Sequence, residues 1–280
     1  MMRTLKTSTI WRTSNTKMRN KPVKPQLTYY DIAEGVTAFS STRHGGNSQG
    51  NHGEFNVNLY CSDDPEDIAE NRKALCRMLK IPVDRLIMPH QVHQTGIVQI
   101  GKTFLRLSDE VRRDVLEGID ALMTNLPGVC IGVSTADCIP IILYDPEHHA
   151  AGVIHSGWRG TVANIAGVAV TSMQMAYHSR PEALKAVIGP GISLEHFEVG
   201  DEVYEQFAAA GYPMAQIACR YEKWHIDLWT CCRLQLQDRG LKAENIQTAG
   251  ICTYGHSDDY FSARRLGVDS GRILTAVLLH

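Results

Sequence analysis

Thr135-Ala136-Asp137-Cys138-Ile139-Pro140-Ile141-Ile142-Leu143-Tyr144-Asp145, followed four residues later by Ala150-Ala151-Gly152-Val153-Ile154-His155-Ser156-Gly157-Trp158-Arg159-Gly160, is the stretch whose reading decides the fold. Ile139 to Tyr144 and Ala150 to Ile154 are short runs rich in Ile and Val, of strand length. Cys138 opens the first run and His155 closes the second. A Gly-x-x-Gly turn carrying Trp158 and Arg159 comes next, and a helical pattern begins, with Val162, Ile165, Val168 and Met175 at helical spacing. A strand that ends on a reactive side chain, then a glycine turn and a helix start, is a common way to build a site.

Outward from this stretch, strands are predicted at Val36 to Ser40, Leu86 to Met88, Ile97 to Ile100, Ala121 to Thr124 and Val129 to Val133, with a further one ending at Gly189-Pro190. Asn56 to Leu59 is a short apolar element. Asp64, Pro65, Glu66 and Asp67 form a helix start, a cap followed by a first-turn proline and acids on the positive end of the dipole. The buried stripe of that helix is Ile68, Leu75, Cys76 and Leu79. Glu202 to Ala210 and Leu228 to Arg239 read as helices stopped by Gly211 and Gly240. Residues 101–117 are charged and irregular and read as a surface insertion. Strands and helices do not alternate strictly, so an α+β class with mixed sheets is favoured over a doubly wound sheet.

The chain has 280 residues, 44% hydrophobic and 21% charged, with a net charge of -2. That is ordinary globular material. Residues 1–25 hold seven Lys or Arg and no acid, leaving the remainder at 21 basic against 30 acidic residues, or -9. An acidic body argues against a nucleic-acid partner. No run of about 18 apolar residues suggests a membrane span. The basic N-terminal stretch lacks the apolar segment of a secretory signal and reads as a disordered leader over residues 1–27, before one catalytic domain over 28–280. Eight cysteines without a Cys-x-x-Cys pair suit a reducing cytoplasm, with Cys76, Cys231 and Cys232 as core packing.

The chemistry gathers on few residues. His93, in the polar break Pro89-His90-Gln91-Val92-His93, is the best companion for Cys138 and His155, and His90 competes with it. Two imidazoles and a thiolate make a three-ligand site with an open fourth position, the catalytic form of a zinc site, which activates water against an electrophilic carbon. Arg159 is the natural partner for an anion beside it. Arg43 is a second anion contact, and Arg264 and Arg265 add two guanidiniums near an aromatic strand. Trp158 offers a wall for a planar ligand. Asp137 is the candidate proton donor, on proximity in sequence alone.

Ser41-Thr42-Arg43 with Gly45-Gly46, Asn71-Arg72, Gln91-Val92-His93, Asp120-Ala121-Leu122, Thr135-Ala136-Asp137-Cys138, His155-Ser156-Gly157-Trp158-Arg159-Gly160, Ile188-Gly189-Pro190, Glu198-Val199-Gly200, Phe261-Ser262 with Arg264-Arg265, and Gly271-Arg272 together resemble the laccase-domain, polyphenol oxidase or peptidoglycan-editing-factor family. The similarity covers nearly all of residues 35–280. It implies a four-layer α/β/β/α sandwich and a zinc site at His93, Cys138 and His155, and so selects His93 over His90. It also implies phosphorolysis of adenosine, inosine, guanosine or methylthioadenosine, with deamination of adenosine; the partners are then a purine nucleoside and phosphate. Gln94, Ser156, Ala263 and Leu266 depart from the family pattern, as does the length of residues 101–117. These departures bear on substrate preference.

Three other functions compete. Copper oxidation of phenols needs several His-x-His pairs for a trinuclear centre, and the chain has none, although copper at a single His/Cys/His site remains a second cofactor choice. A metal-free Cys138–His155 hydrolase acting on peptidoglycan precursors is another. A non-enzymatic binding protein in cell-wall quality control is the last.

Overall fold

The computed structural model describes residues 22–280, so residues 1–21 of the expected leader lie outside the described residues. Val23 packs beside one apolar cluster, Lys24 donates its amide to the Gly45 carbonyl, and Leu27 already belongs to a strand.

In chain order the strands are β1 (Leu27–Tyr30), β2 (Val36–Ser41), β3 (Leu86–Ile87), β4 (Ile97–Gln99), β5 (Ala121–Thr124), β6 (Cys130–Thr135), β7 (Ile139–Asp145), β8 (Ala150–Ser156), β9 (Lys185–Ile188), β10 (Glu198–Val199), β11 (Ala218–Arg220), β12 (Trp224–Ile226), β13 (Ile246–Thr248) and β14 (Ile273–Leu279). The helices are α1 (Pro65–Leu79), α2 (Asp109–Leu116), α3 (Trp158–Val162), α4 (Ile165–Tyr177), α5 (Asp201–Ala209), α6 (Met214–Ile217), α7 (Leu228–Asp238) and α8 (Ala263–Leu266). One sheet has the order β1-β2-β14-β6-β3 and a second β13-β9-β7-β8-β5-β4; β10-β12-β11 form a small third. Both large sheets are mixed, since β3–β6, β4–β5 and β9–β13 pair in parallel and their other neighbours antiparallel.

The period of two along each strand explains the layering. On β14, Leu274, Ala276 and Leu278 face α1 and pack with Phe39, Leu75, Cys76 and Leu79. Val277 and Leu279 face the other way, into a core shared with Ile131 and Val133 of β6 and Ile142, Val153 and Leu122 of the second sheet. On β7, Ile139, Ile141 and Leu143 point outward to α4 and α7, where Ala166, Val170, Cys231 and Leu236 cover them. Strands buried on both faces read as unbroken apolar runs, which is why β7 and β8 do. The order is helix, sheet, sheet, helix. The α+β expectation with mixed sheets holds, and the four layers are as expected.

Several local expectations also hold. Asp64 accepts from the Glu66 amide at 2.9 Å ahead of Pro65, and Ile68, Leu75, Cys76 and Leu79 are buried on α1. Gly211 and Gly240 follow α5 and α7 with φ of +85° and +98°, values that glycine adopts without steric cost.

Others do not. Residues 101–117 are not an irregular insertion: they hold a short 3-10 turn and α2, and Phe104 and Leu116 are buried in the inter-sheet core. The helix after Gly160 is two helices, because Asn164 takes a left-handed conformation (φ +60°) between α3 and α4. That break turns the face of α4, so Ala166, Val170 and Met173 are buried while Met175 is exposed. The short apolar element Asn56 to Leu59 is a loop, which the buried Asn56 and Asn58 side chains organise by bonding Asp63, Ser134 and nearby amides. No helix among the described residues is long and apolar enough to cross a membrane.

Candidate metal centre and its cavity

The β7–β8 hairpin does most of the assembly. Its antiparallel register pairs Ile139 with Ser156 and Pro140 with His155. The residue before Ile139 is Cys138 and the residue after Ser156 is Gly157, so the register sets the cysteine across from the glycine, two positions beyond the histidine. Seventeen residues of sequence separation vanish because the two strands run side by side.

Asp120 brings in the third donor. It is fully buried at the start of β5, the neighbour of β8. The Nδ1–H of His155 donates to its Oδ1 at 2.7 Å, and the amide of His93 donates to the same oxygen at 2.9 Å. The amides of Gln94 and Val92 donate to Oδ2 at 2.8 and 3.3 Å. One carboxylate therefore wraps the 92–94 loop, in which His93 has φ of +64°, around the end of β8. The imidazoles of His93 and His155 meet edge to face at 4.7 Å between centroids.

The result is a group of three donors, His93, Cys138 and His155, whose ligand atoms all lie within 4.8 Å of one another. The donor set suits a metal ion: a thiol sulfur and two ring nitrogens, with His155 Nδ1 already given to a carboxylate so that Nε2 is the atom left to a ligand. Gly157 supplies the room. A Cβ there would stand 2.8 Å from His93 Cδ2 and 3.1 Å from Cys138 Sγ.

Charges agree with this reading. Burial pushes the Cys138 thiol up, but His155 and His93 outweigh it and bring its pKa down to about 6. Burial pushes His155 down, yet Cys138 and Asp120 raise it to about 9. Asp120 is held below its ordinary value despite burial, by the hydrogen bonds from His155 and the loop amides. The three form a polarised chain, carboxylate, imidazole and thiolate.

The donors open into a cavity of about 430 Å³. Asn58, Tyr60, His90, Gln91, Ser134 and Arg272 line its other walls. Gln91 is locked to β6, donating to the Ser134 carbonyl and accepting from its amide, both at 2.8 Å.

The remaining expected site residues fall elsewhere. His90 lines the cavity but gives its Nδ1 to Glu117, and it is not in the three-donor group. Asp137 is buried with φ of +87°, and both its oxygens are taken, by the Thr253 hydroxyl and the Arg264 amide at 2.7 Å each. It ties Thr253 and the first turn of α8 to the start of β7 and does not line the cavity. Arg43 donates to the Gly53 and Ser257 carbonyls and stacks on Phe261. Arg159 is exposed and stacks on Trp158 at 4.2 Å. Arg264 donates to the His196 and Glu198 carbonyls, and Arg265 lies over Tyr254. None of these four guanidiniums lines the cavity; Arg272 does. Asp120 and Arg272 were within quoted motifs without a role. An acid directly before the apolar Ala121-Leu122-Met123 run is the available signal for Asp120.

Residues 37–280 match the family described as multi-copper polyphenol oxidoreductase laccase. A purine nucleoside phosphorylase from Bacteroides thetaiotaomicron is 44% identical over 88% of this chain and 92% of its own. An adenosine deaminase, RL5, from an unknown prokaryotic organism is 39% identical over 90% of this chain and 97% of its own. The crystal structure of YlmD from Geobacillus stearothermophilus superposes with a TM-score of 0.84 at 28% identity, covering 93% of this chain and 99% of that one. The chain belongs to this laccase-like family.

Proposed function

We propose that this member of the family is a zinc-dependent purine nucleoside phosphorylase that also deaminates adenosine, with His93, Cys138 and His155 as the metal ligands. The observation that carries the reading is the convergence of these three donors at the floor of one nucleoside-sized cavity. The names of the relatives supply the substrate class, purine nucleoside and phosphate. Zinc, once bound, contributes Lewis acidity toward an oxygen at its open position.

The chain's own residues do the rest. Asp120 holds the His155 ring in one tautomer and fixes the His93 loop, so the donors need no reorganisation. Tyr60 and His90, stacked at 4.2 Å between centroids, form one wall of the cavity and hold each other's ring planes. Arg272, whose guanidinium is anchored to the Ser270, Gly271 and Val268 carbonyls, places a permanent positive charge at the cavity wall, where it favours phosphate by charge. Gln91 and Asn58, braced on Ser134, keep the polar wall between them rigid.

Purified enzyme is incubated with adenosine, with and without phosphate, and the products are separated by chromatography. Adenine marks phosphorolysis, inosine marks deamination, and hypoxanthine marks both in sequence. Unchanged adenosine and inosine with metal-loaded enzyme and phosphate present defeat the proposal. Metal analysis of protein purified without added copper separates zinc from copper.

A further inference from the structure

Both proposed reactions expel a group that leaves more easily with a proton, the purine in one and ammonia in the other. Asp137, the donor expected from sequence, has both oxygens occupied. The cavity wall holds six side chains that carry a titratable proton: Tyr60, His90, His93, Cys138, His155 and Arg272. Three of these are the donor group itself, whose lone pairs are committed. Arg272 does not release a proton in a protein. Burial, helped by Glu117, pushes the Tyr60 hydroxyl above its ordinary value. His90 is left, and imidazole is the side chain that exchanges protons near neutrality.

Its setting is built. The His90 amide donates to the Leu116 carbonyl and its carbonyl accepts from the Gly118 amide, both at 3.0 Å, so the strand break and the end of α2 run as a short bridge. That bridge delivers Glu117, whose two oxygens receive Nδ1–H at 2.7 and 2.8 Å. A carboxylate on Nδ1 fixes the tautomer and leaves Nε2 as the proton-carrying atom, while Tyr60 holds the ring plane. Residues 101–117 thereby acquire a purpose, since α2 is the element that sets Glu117 in place.

We infer that His90, oriented by Glu117, is the proton donor to the leaving group. The assignment rests on the proposed function. In phosphorolysis the C1′–N9 bond breaks and its electron pair enters the purine. The proton on His90 Nε2 passes to purine N7, and a phosphate oxygen forms the new bond to C1′. His90 is left neutral, with Nδ1–H still on Glu117, and regains its proton from solvent, to which its side chain is 38% exposed. In deamination a water oxygen bonds to C6, the C6–N6 bond breaks, and the same proton leaves with the nitrogen as ammonia; of the water's two protons one stays on the inosine base and the other restores His90.

The test compares leaving groups that need a proton with leaving groups that do not. Inosine needs one, whereas 7-methylguanosine already carries its positive charge on the purine. Adenosine needs one, whereas 6-chloropurine riboside loses chloride. His90→Gln is expected to lower kcat on inosine and adenosine about 100-fold. Turnover of at least one activated analogue falls by no more than about threefold, the loss expected where no proton is transferred. Glu117→Gln gives the same split with a smaller loss, and metal content is unchanged in both variants. Equal losses on natural and activated substrates, or full activity of His90→Gln on inosine, overturn the assignment. A wild-type enzyme that turns over none of the four overturns the functional reading itself, and the assignment with it.

Discussion

Replacing Asp120 with Asn changes one atom and removes one charge at the point where three segments meet. The carboxylate accepts four hydrogen bonds, two on each oxygen. An amide oxygen keeps the pair from His93 and His155, but the new NH2 then faces the Gln94 and Val92 amides, which are donors as well. A hydrogen bond to a charged acceptor contributes about 1.5–3 kcal/mol, and the Val92 contact is long, so the loss is about 3 kcal/mol. For a domain of this size that lowers Tm by about 6–12 °C. The metal site suffers separately, since His155 loses the negative partner that makes its ring a better ligand. Outer partners of this kind affect metal affinity about 10- to 100-fold. Competition against a chromophoric chelator measures the affinity, and circular dichroism measures the melt. The sign with pH follows from the depressed carboxyl. The wild-type advantage is full above the ordinary aspartate value and fades as pH falls through the lower folded one. Zinc affinity within twofold of wild type in Asp120→Asn refutes the claim that this residue organises the centre.

Three more expectations are open to direct measurement. In metal-free protein iodoacetamide modifies Cys138 with a half-maximal rate near pH 6, because the neighbouring imidazoles lower its pKa to about 6, and bound zinc protects it; mass spectrometry reads both, and a midpoint near 9 contradicts the geometry. Gly157→Ala pushes a methyl against His93 and Cys138 and lowers metal affinity at least about tenfold with little change in far-UV dichroism, so an unchanged affinity speaks against the cradle. Asn71→Ala, which breaks bonds to Asn47, Ser48, Glu54 and Asn56 around a fully buried side chain, costs about 2–4 kcal/mol in denaturant unfolding while leaving metal content alone.

The layered fold was legible because strand burial is written in period two and in uninterrupted Ile/Val runs, and because the α1 start carries its own capping chemistry. The three candidate donors were legible as residue types, but the geometry that brings them together was not. Spacings of 45 and 17 residues mean nothing until the β7–β8 register and the Asp120 bridge are known. The arginines show the limit most clearly. A guanidinium in a glycine loop or beside an aromatic strand reads as an anion contact, yet Arg43 and Arg264 spend their hydrogen bonds on backbone carbonyls that no local pattern announces. Residues 101–117 misled for the opposite reason, since their charges mask the buried Phe104 and Leu116.

The hairpin of β7 and β8 has its reactive end and its turn at opposite extremities, about 20 Å apart for strands of this length. Residues 146–149 can therefore accept grafted peptides or new chain ends without touching the donors, provided the ladder keeps its pairing. A slip of a single rung would do the reverse. It would swing His155 away from the thiol and abolish the centre, and it would also turn the slipped strand's apolar side chains to the wrong face of the sheet.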